Sequence, residues 1–76
     1  MAHKENAVNY LVNKALTDKA KAELSLELLL ESAVGIGDHS TGDFYENLDE
    51  ALDTLVDAID RLEVLRYTYP DLVEMS

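Results

Sequence analysis

Leu26-Glu27-Leu28-Leu29-Leu30-Glu31-Ser32-Ala33-Val34-Gly35-Ile36-Gly37-Asp38-His39-Ser40 is the stretch that decides how this chain folds. An apolar helical run meets a glycine there, and glycine just past such a run is the usual left-handed stop because it has no Cβ to penalise that conformation. Gly35 is therefore expected to end a helix, with Ile36 reaching back to Leu30 to close it and Gly37 and Asp38 continuing the turn. The next start signal is Asp43, whose carboxylate suits the orphan amides of a new first turn, with Glu46 three residues on in capping-box fashion. A second helix then begins at about Phe44. Two helical runs around a glycine-punctuated turn make an all-α helical hairpin.

The second run carries Tyr45, Leu48, Leu52, Leu55, Ile59 and Leu62 at steps of 3 and 4, the spacing of a helix packed at a shallow angle on another. Ala51, Val56, Ala58 and Leu65 widen that seam, which suits a bundle better than a two-stranded coiled coil. Pro70 biases Tyr69 away from the helical region, so this helix should end by Tyr69. Pro70 can then open a short final turn.

Towards the N-terminus, Val8, Val12, Ala15, Ala22, Leu26, Leu29 and Ala33 recur at steps of 3 and 4, interrupted by Lys19. Neither Gly nor Pro stops a helix before Gly35. The run reads as one long helix, straight or kinked, or as two if Thr17 or Asp18 caps a new start. Met1 to Asn6 shows no capping pattern and reads as a frayed end. The expected layout is a single domain with a helix over about 7–34, a turn at 35–43, a helix over about 44–69 and a tail at 70–76.

Seventy-six residues bury only about 60% of the surface their unfolded chain exposes, so a lone hairpin is poorly protected. Between Leu24 and Leu30 the leucines wrap most of the helix: Leu24 and Leu28 on one side, Leu26, Leu29 and Leu30 on the other. One neighbouring helix cannot cover both sides. The expected remedy is a homo-oligomer, most simply a symmetric dimer forming a four-helix bundle, or a helical protein partner. The face expected to do this holds Leu26, Leu29, Leu30, Leu48, Leu52, Leu55, Ile59 and Leu62.

Charge narrows the classes of partner. The chain carries six Lys and Arg against sixteen Asp and Glu, a net −10. Residues 1–22 hold four lysines against two acids, hence +2, and the rest hold two arginines against fourteen acids, hence −12. Phosphate binding draws on counterion release by a basic surface, so direct nucleic-acid binding is not expected. An acidic surface can instead attract basic partners. The absence of cysteine fits a reducing compartment such as the cytoplasm. The longest uninterrupted apolar run, Leu28-Leu29-Leu30, is far short of the roughly 20 residues a bilayer core requires, so no membrane association is expected.

From Leu28 to Ser40, and again over Ala58-Ile59-Asp60-Arg61-Leu62-Glu63-Val64-Leu65, the chain resembles small helix-loop-helix proteins of T-even-like bacteriophages and cyanophages, including the small reading frame adjacent to the recombination helicase. The resemblance covers about Leu26 to Tyr69, and its distinctive part is Ala33-Val34-Gly35-Ile36-Gly37-Asp38-His39. It implies a helix-loop-helix and a phage origin, hence the host cell cytoplasm. It carries over no catalytic residue.

No motif points to an enzyme, a cofactor or a metal. Gly35-x-Gly37 followed by Gly42 fails as a phosphate cradle, because a dinucleotide fingerprint needs a glycine where Ser40 stands and a strand before it, and a P-loop needs Gly-Lys-Ser/Thr. Asp38, Ser40 and Gly42 match calcium-loop spacing, yet the obligatory glycine is Asp43 and the bidentate glutamate is Asp49. His39 beside Asp38 reads as a turn residue bonding local backbone. Asp49, Asp53, Asp57 and Asp60, spaced 4, 4 and 3 apart, read as a solvated acidic face, or as a row of charge imitating a phosphate backbone to a DNA-binding or recombination protein. Phe44, Tyr45, Tyr67 and Tyr69 bracket the second helix and suit covers for the hairpin's ends, since tyrosine buries its ring and leaves its hydroxyl wet.

Overall fold

The computed structural model describes residues 2–36 and 42–73, with side-chain surroundings for 3–32 and 42–73. It consists of α1 (Ala2–Ile36), α2 (Gly42–Thr68) and α3 (Pro70–Val73). α1 and α2 pack side by side along their length, and α3 folds against both. The molecule measures 55 × 16 × 14 Å. That long axis is one helix: 35 residues at about 1.5 Å of rise reach about 52 Å.

α1 is a single unbroken helix. It begins five residues before the expected position, so the expected fraying of residues 2–6 does not occur. Glu5 sits in its first turn, where negative charge meets the positive helix end. The Lys4 ammonium stands 5.3 Å from the centre of the Tyr69 ring, a cation–π contact that ties the first turn to the end of α2. Asp18 caps no new helix, because its carboxylate accepts a hydrogen bond from Lys14 Nζ one turn back, at 3.0 Å. Lys19 is half-buried at a seam position, its stem covering apolar surface while the charge reaches outward. An amphipathic lysine can hold a seam position that the letter code alone reads as an interruption.

At its far end α1 passes through Gly35 and closes at Ile36, so Gly35 is a helical residue and not the left-handed stop. Gly37, Asp38, His39 and Ser40 lie outside the described residues, as does the side-chain contact expected between Ile36 and Leu30. α2 starts at Gly42, which places Asp43 inside the first turn rather than at the cap. Its charge still favours the helix's positive end.

The end of α2 follows the proline. Tyr69 N–H still donates to Leu65 O at 2.8 Å, but Pro70 has no N–H to continue the ladder. The Tyr69 carbonyl then accepts from Leu72 at 3.0 Å and Val73 at 3.1 Å, closing α3 as the short turn expected there. Val73 is thereby buried with Val8, Val12, Ala15, Leu62 and Leu65, and Tyr69 and Leu72 pack against that cluster. This closed end holds the largest part of the core.

Both long helices bury a strict heptad. In α1 the buried and half-buried positions of the seam are Val8, Val12, Ala15, Lys19, Ala22, Leu26 and Leu29, with Asp18 half-buried beside Lys19; all but Lys19 and Asp18 are those the sequence spacing indicates. In α2 they are Phe44, Leu48, Ala51, Leu55, Ala58, Leu62 and Leu65. Leu48, Leu55 and Leu62 belong to the expected seam, whereas Tyr45, Leu52 and Ile59 are exposed. The reason is size matching across an antiparallel pair. Leu11 lies beside Leu65, and Ser25 and Leu29 lie beside Ala51 and Asn47. Ala15 accordingly packs in one cluster with Leu62, and Ala22 and Ala51 line one groove with Leu29. Each alanine meets a long side chain, so the layers interdigitate.

Candidate partner-binding face

In heptad letters, α1 carries Val8, Ala15, Ala22 and Leu29 at d and Val12, Lys19 and Leu26 at a. α2 carries Phe44, Ala51, Ala58 and Leu65 at d and Leu48, Leu55 and Leu62 at a. In an antiparallel pair the e positions of both helices share one flank of the seam and the g positions share the other. The two flanks of this hairpin differ in chemistry.

On the g flank, Lys21, Ser25 and Leu28 of α1 face Asn47, Glu50 and Thr54 of α2 across an open groove of about 510 Å³. Its lining mixes charge, amide and hydroxyl groups with one exposed leucine. Thr54 spends its hydroxyl on its own helix, donating to Glu50 O at 3.0 Å.

The e flank is apolar. Leu16 and Leu30 of α1 and Tyr45, Leu52 and Ile59 of α2 occupy e, and Val56 stands beside them at b. These are six of the twelve large apolar side chains exposed among the described residues. Their exposure, from 38% at Ile59 to 57% at Tyr45, leaves each side chain one side against its own helix and one side to a neighbour. The Phe44 ring meets Tyr45 edge-on at 5.6 Å and 73°, which fixes the tyrosine at one end of this strip.

The residues expected to form a partner-binding face therefore divide into two groups. Leu26, Leu29, Leu48 and Leu55 are half-buried and Leu62 is buried, all within the hairpin's own seam. Leu30, Leu52 and Ile59 are exposed on the e flank. Leu16 belongs with them, though the sequence reading passed over it. Its signal was the interval of seven from Leu16 through Glu23 to Leu30, one position beyond each d residue.

Asp49, Asp53, Asp57 and Asp60 are all exposed on α2. They lie within about 80° of one another on the outward side of the helix, Asp49 towards the e side and Asp57 towards the g side. Asp57 also accepts a hydrogen bond from Arg61 Nε at 2.9 Å, so part of its charge is answered within the helix. Tyr67 is 89% exposed and covers nothing, whereas Tyr69 is half-buried over the closed end. Among the described residues no group of three or more His, Asp or Glu is placed to hold a metal ion. No helix among them is long and apolar enough to cross a membrane. Asp38 and His39 lie outside the described residues.

Comparison of the chain with protein-family models, with curated proteins and with solved structures gives no match.

Proposed function

We propose that this chain is a small acidic interaction protein without enzymatic activity, of the phage helix-loop-helix type that its turn resembles. It works by covering its apolar face with a second copy or with another helical protein. The observation that carries this reading is the e flank, where half of the exposed large apolar side chains gather on one side of the hairpin. An exposed apolar strip with charged surroundings is the usual mark of a protein-interaction surface. Among the described residues the seam beneath it buries mostly alanine and valine, with Leu62 and Leu65 the only buried leucines. That is a thin core for a free-standing protein.

Sedimentation equilibrium at micromolar concentration, beside pull-downs with the Leu52→Asp variant, tests the reading. A dimer that the substitution returns to the 8.5 kDa monomer supports self-association. A monomer whose helical partner is retained by the wild type and lost by the variant supports a heterologous complex. A monomer whose partners are held equally by both proteins overturns the reading.

A second reading draws on the exposure of Asp49, Asp53, Asp57 and Asp60: an acidic nucleic-acid mimic or accessory factor acting on a DNA-binding or recombination protein. Basic partners released by modest salt would support it. The same partners retained after Asp53, Asp57 and Asp60 become Asn would exclude it.

A further inference from the structure

Resting on the interaction reading, we infer that the e flank is a docking groove for an amphipathic helix with basic edges, contributed by a different protein. The strip runs from Leu16 to Leu30 along α1 and from Ile59 to Tyr45 along α2, 14 residue steps in each case. At about 1.5 Å per residue this is about 21 Å, four turns of a third helix laid between the first two. Leucine-type side chains of such a helix, spaced 3 and 4 apart, would enter the strip between Leu16, Leu30, Leu52 and Ile59.

Charge distinguishes the occupant. The e and b positions that border the strip carry Glu23, Glu27, Asp49 and Glu63, with Arg66 the single cation, hence −3. None of the four lysines stands there: Lys4, Lys14 and Lys21 occupy g and c positions, and Lys19 is half-buried in the seam. A basic-edged helix meets complementary charge along its whole length, which favours that partner and orients its approach. A second copy meets the reverse. Pairing two such faces about a two-fold axis sets −3 against −3, and where that axis runs across the helices Glu23, the midpoint of the α1 strip, faces its own copy at the centre. Like charges at the centre of an interface are costly because they must also lose their water.

The test uses the full chain and two synthetic helical peptides of about 18 residues, long enough to span the 21 Å strip. Both carry leucines at 3 and 4 spacing, one with lysine edges and the other with glutamate in their place. Fluorescence anisotropy at low salt should show the lysine peptide bound on the order of tenfold more tightly, the gap closing as salt rises. Glu23→Lys should narrow or reverse the preference. Leu52→Asp should remove binding while Leu28→Asp, equally exposed but on the g flank, retains it. Val56→Asp serves as a second e-flank variant should Leu52→Asp lose its helical circular dichroism. Equal binding of both peptides, binding by neither, or loss with Leu28→Asp alone refutes the proposal. A dimer that Leu52→Asp dissociates also refutes it, while leaving the wider interaction reading intact. A monomer that binds neither peptide, with partners insensitive to Leu52→Asp, sinks both.

Discussion

Leu65→Ala should unfold much of this protein, and Leu52→Ala should not. Leu65 is 8% exposed, and its side chain packs in the cluster of Val8, Val12, Ala15, Leu62 and Val73 at the closed end. Truncation to alanine removes three carbons, worth about 2.4 kcal/mol of transfer at about 0.8 kcal/mol per methylene. A residual cavity raises such costs towards 5 kcal/mol in rigid cores. Here the core is one layer between two helices, and a groove lined by Leu11, Arg61 and Val64 opens beside Leu65. Neighbours can move into the gap, which holds the cost to about 2–3 kcal/mol. For a domain of this size each kcal/mol moves Tm by about 4–8 °C, so the drop should be about 10–20 °C. Leu52 is 50% exposed, and its truncation should cost less than about 1 kcal/mol because half its surface already meets water. Circular dichroism melts at 222 nm, run at low concentration to keep association out of the comparison, measure both. An equal or larger loss for Leu52→Ala would refute the packing. It would mean that α2 is turned by about 100°, one residue's step, and that Tyr45, Leu52 and Ile59 form the seam after all.

Ala58 is 1% exposed, so Ala58→Leu should overpack the seam and lower stability by about 1–3 kcal/mol in urea titrations. Gly42→Ala should raise stability by about 0.4–1 kcal/mol, because a Cβ there meets nothing within 4 Å and the unfolded chain loses freedom; a lower Tm would contradict the open first turn. Gly35 is helical, so Gly35→Ala should be neutral or stabilising by up to about 0.5–1 kcal/mol, whereas a loss of similar size would restore it as a left-handed stop. Lys4→Met should lower stability by about 0.5–1 kcal/mol, read as a small drop in Tm, through loss of the Tyr69 contact; no change would show that the first turn is not anchored there.

By itself the sequence determined that the protein is helical, that it has two long helices, and that Pro70 closes the second. Those conclusions rest on local chemistry: a 3-and-4 apolar period in each run and a residue without an N–H. The seam of α1 was legible for the same reason, since Val8, Val12, Ala15, Ala22, Leu26 and Leu29 keep the 3-and-4 spacing with one interruption, at Lys19. In α2 two sets share Leu48, Leu55 and Leu62, and spacing cannot choose between Tyr45, Leu52 and Ile59 on one side and Ala51, Ala58 and Leu65 on the other. Hydrophobicity favours the larger residues, but the choice belongs to the neighbour. α1 brings Leu29 into one groove with Ala51, and close approach of two backbones requires the small residue opposite the long one. That rotation turns Tyr45, Leu52 and Ile59 outward and creates the apolar flank. The start of α1 depended on tertiary structure too, because Lys4 finds its partner in Tyr69, 65 residues away, and no local rule reaches that far.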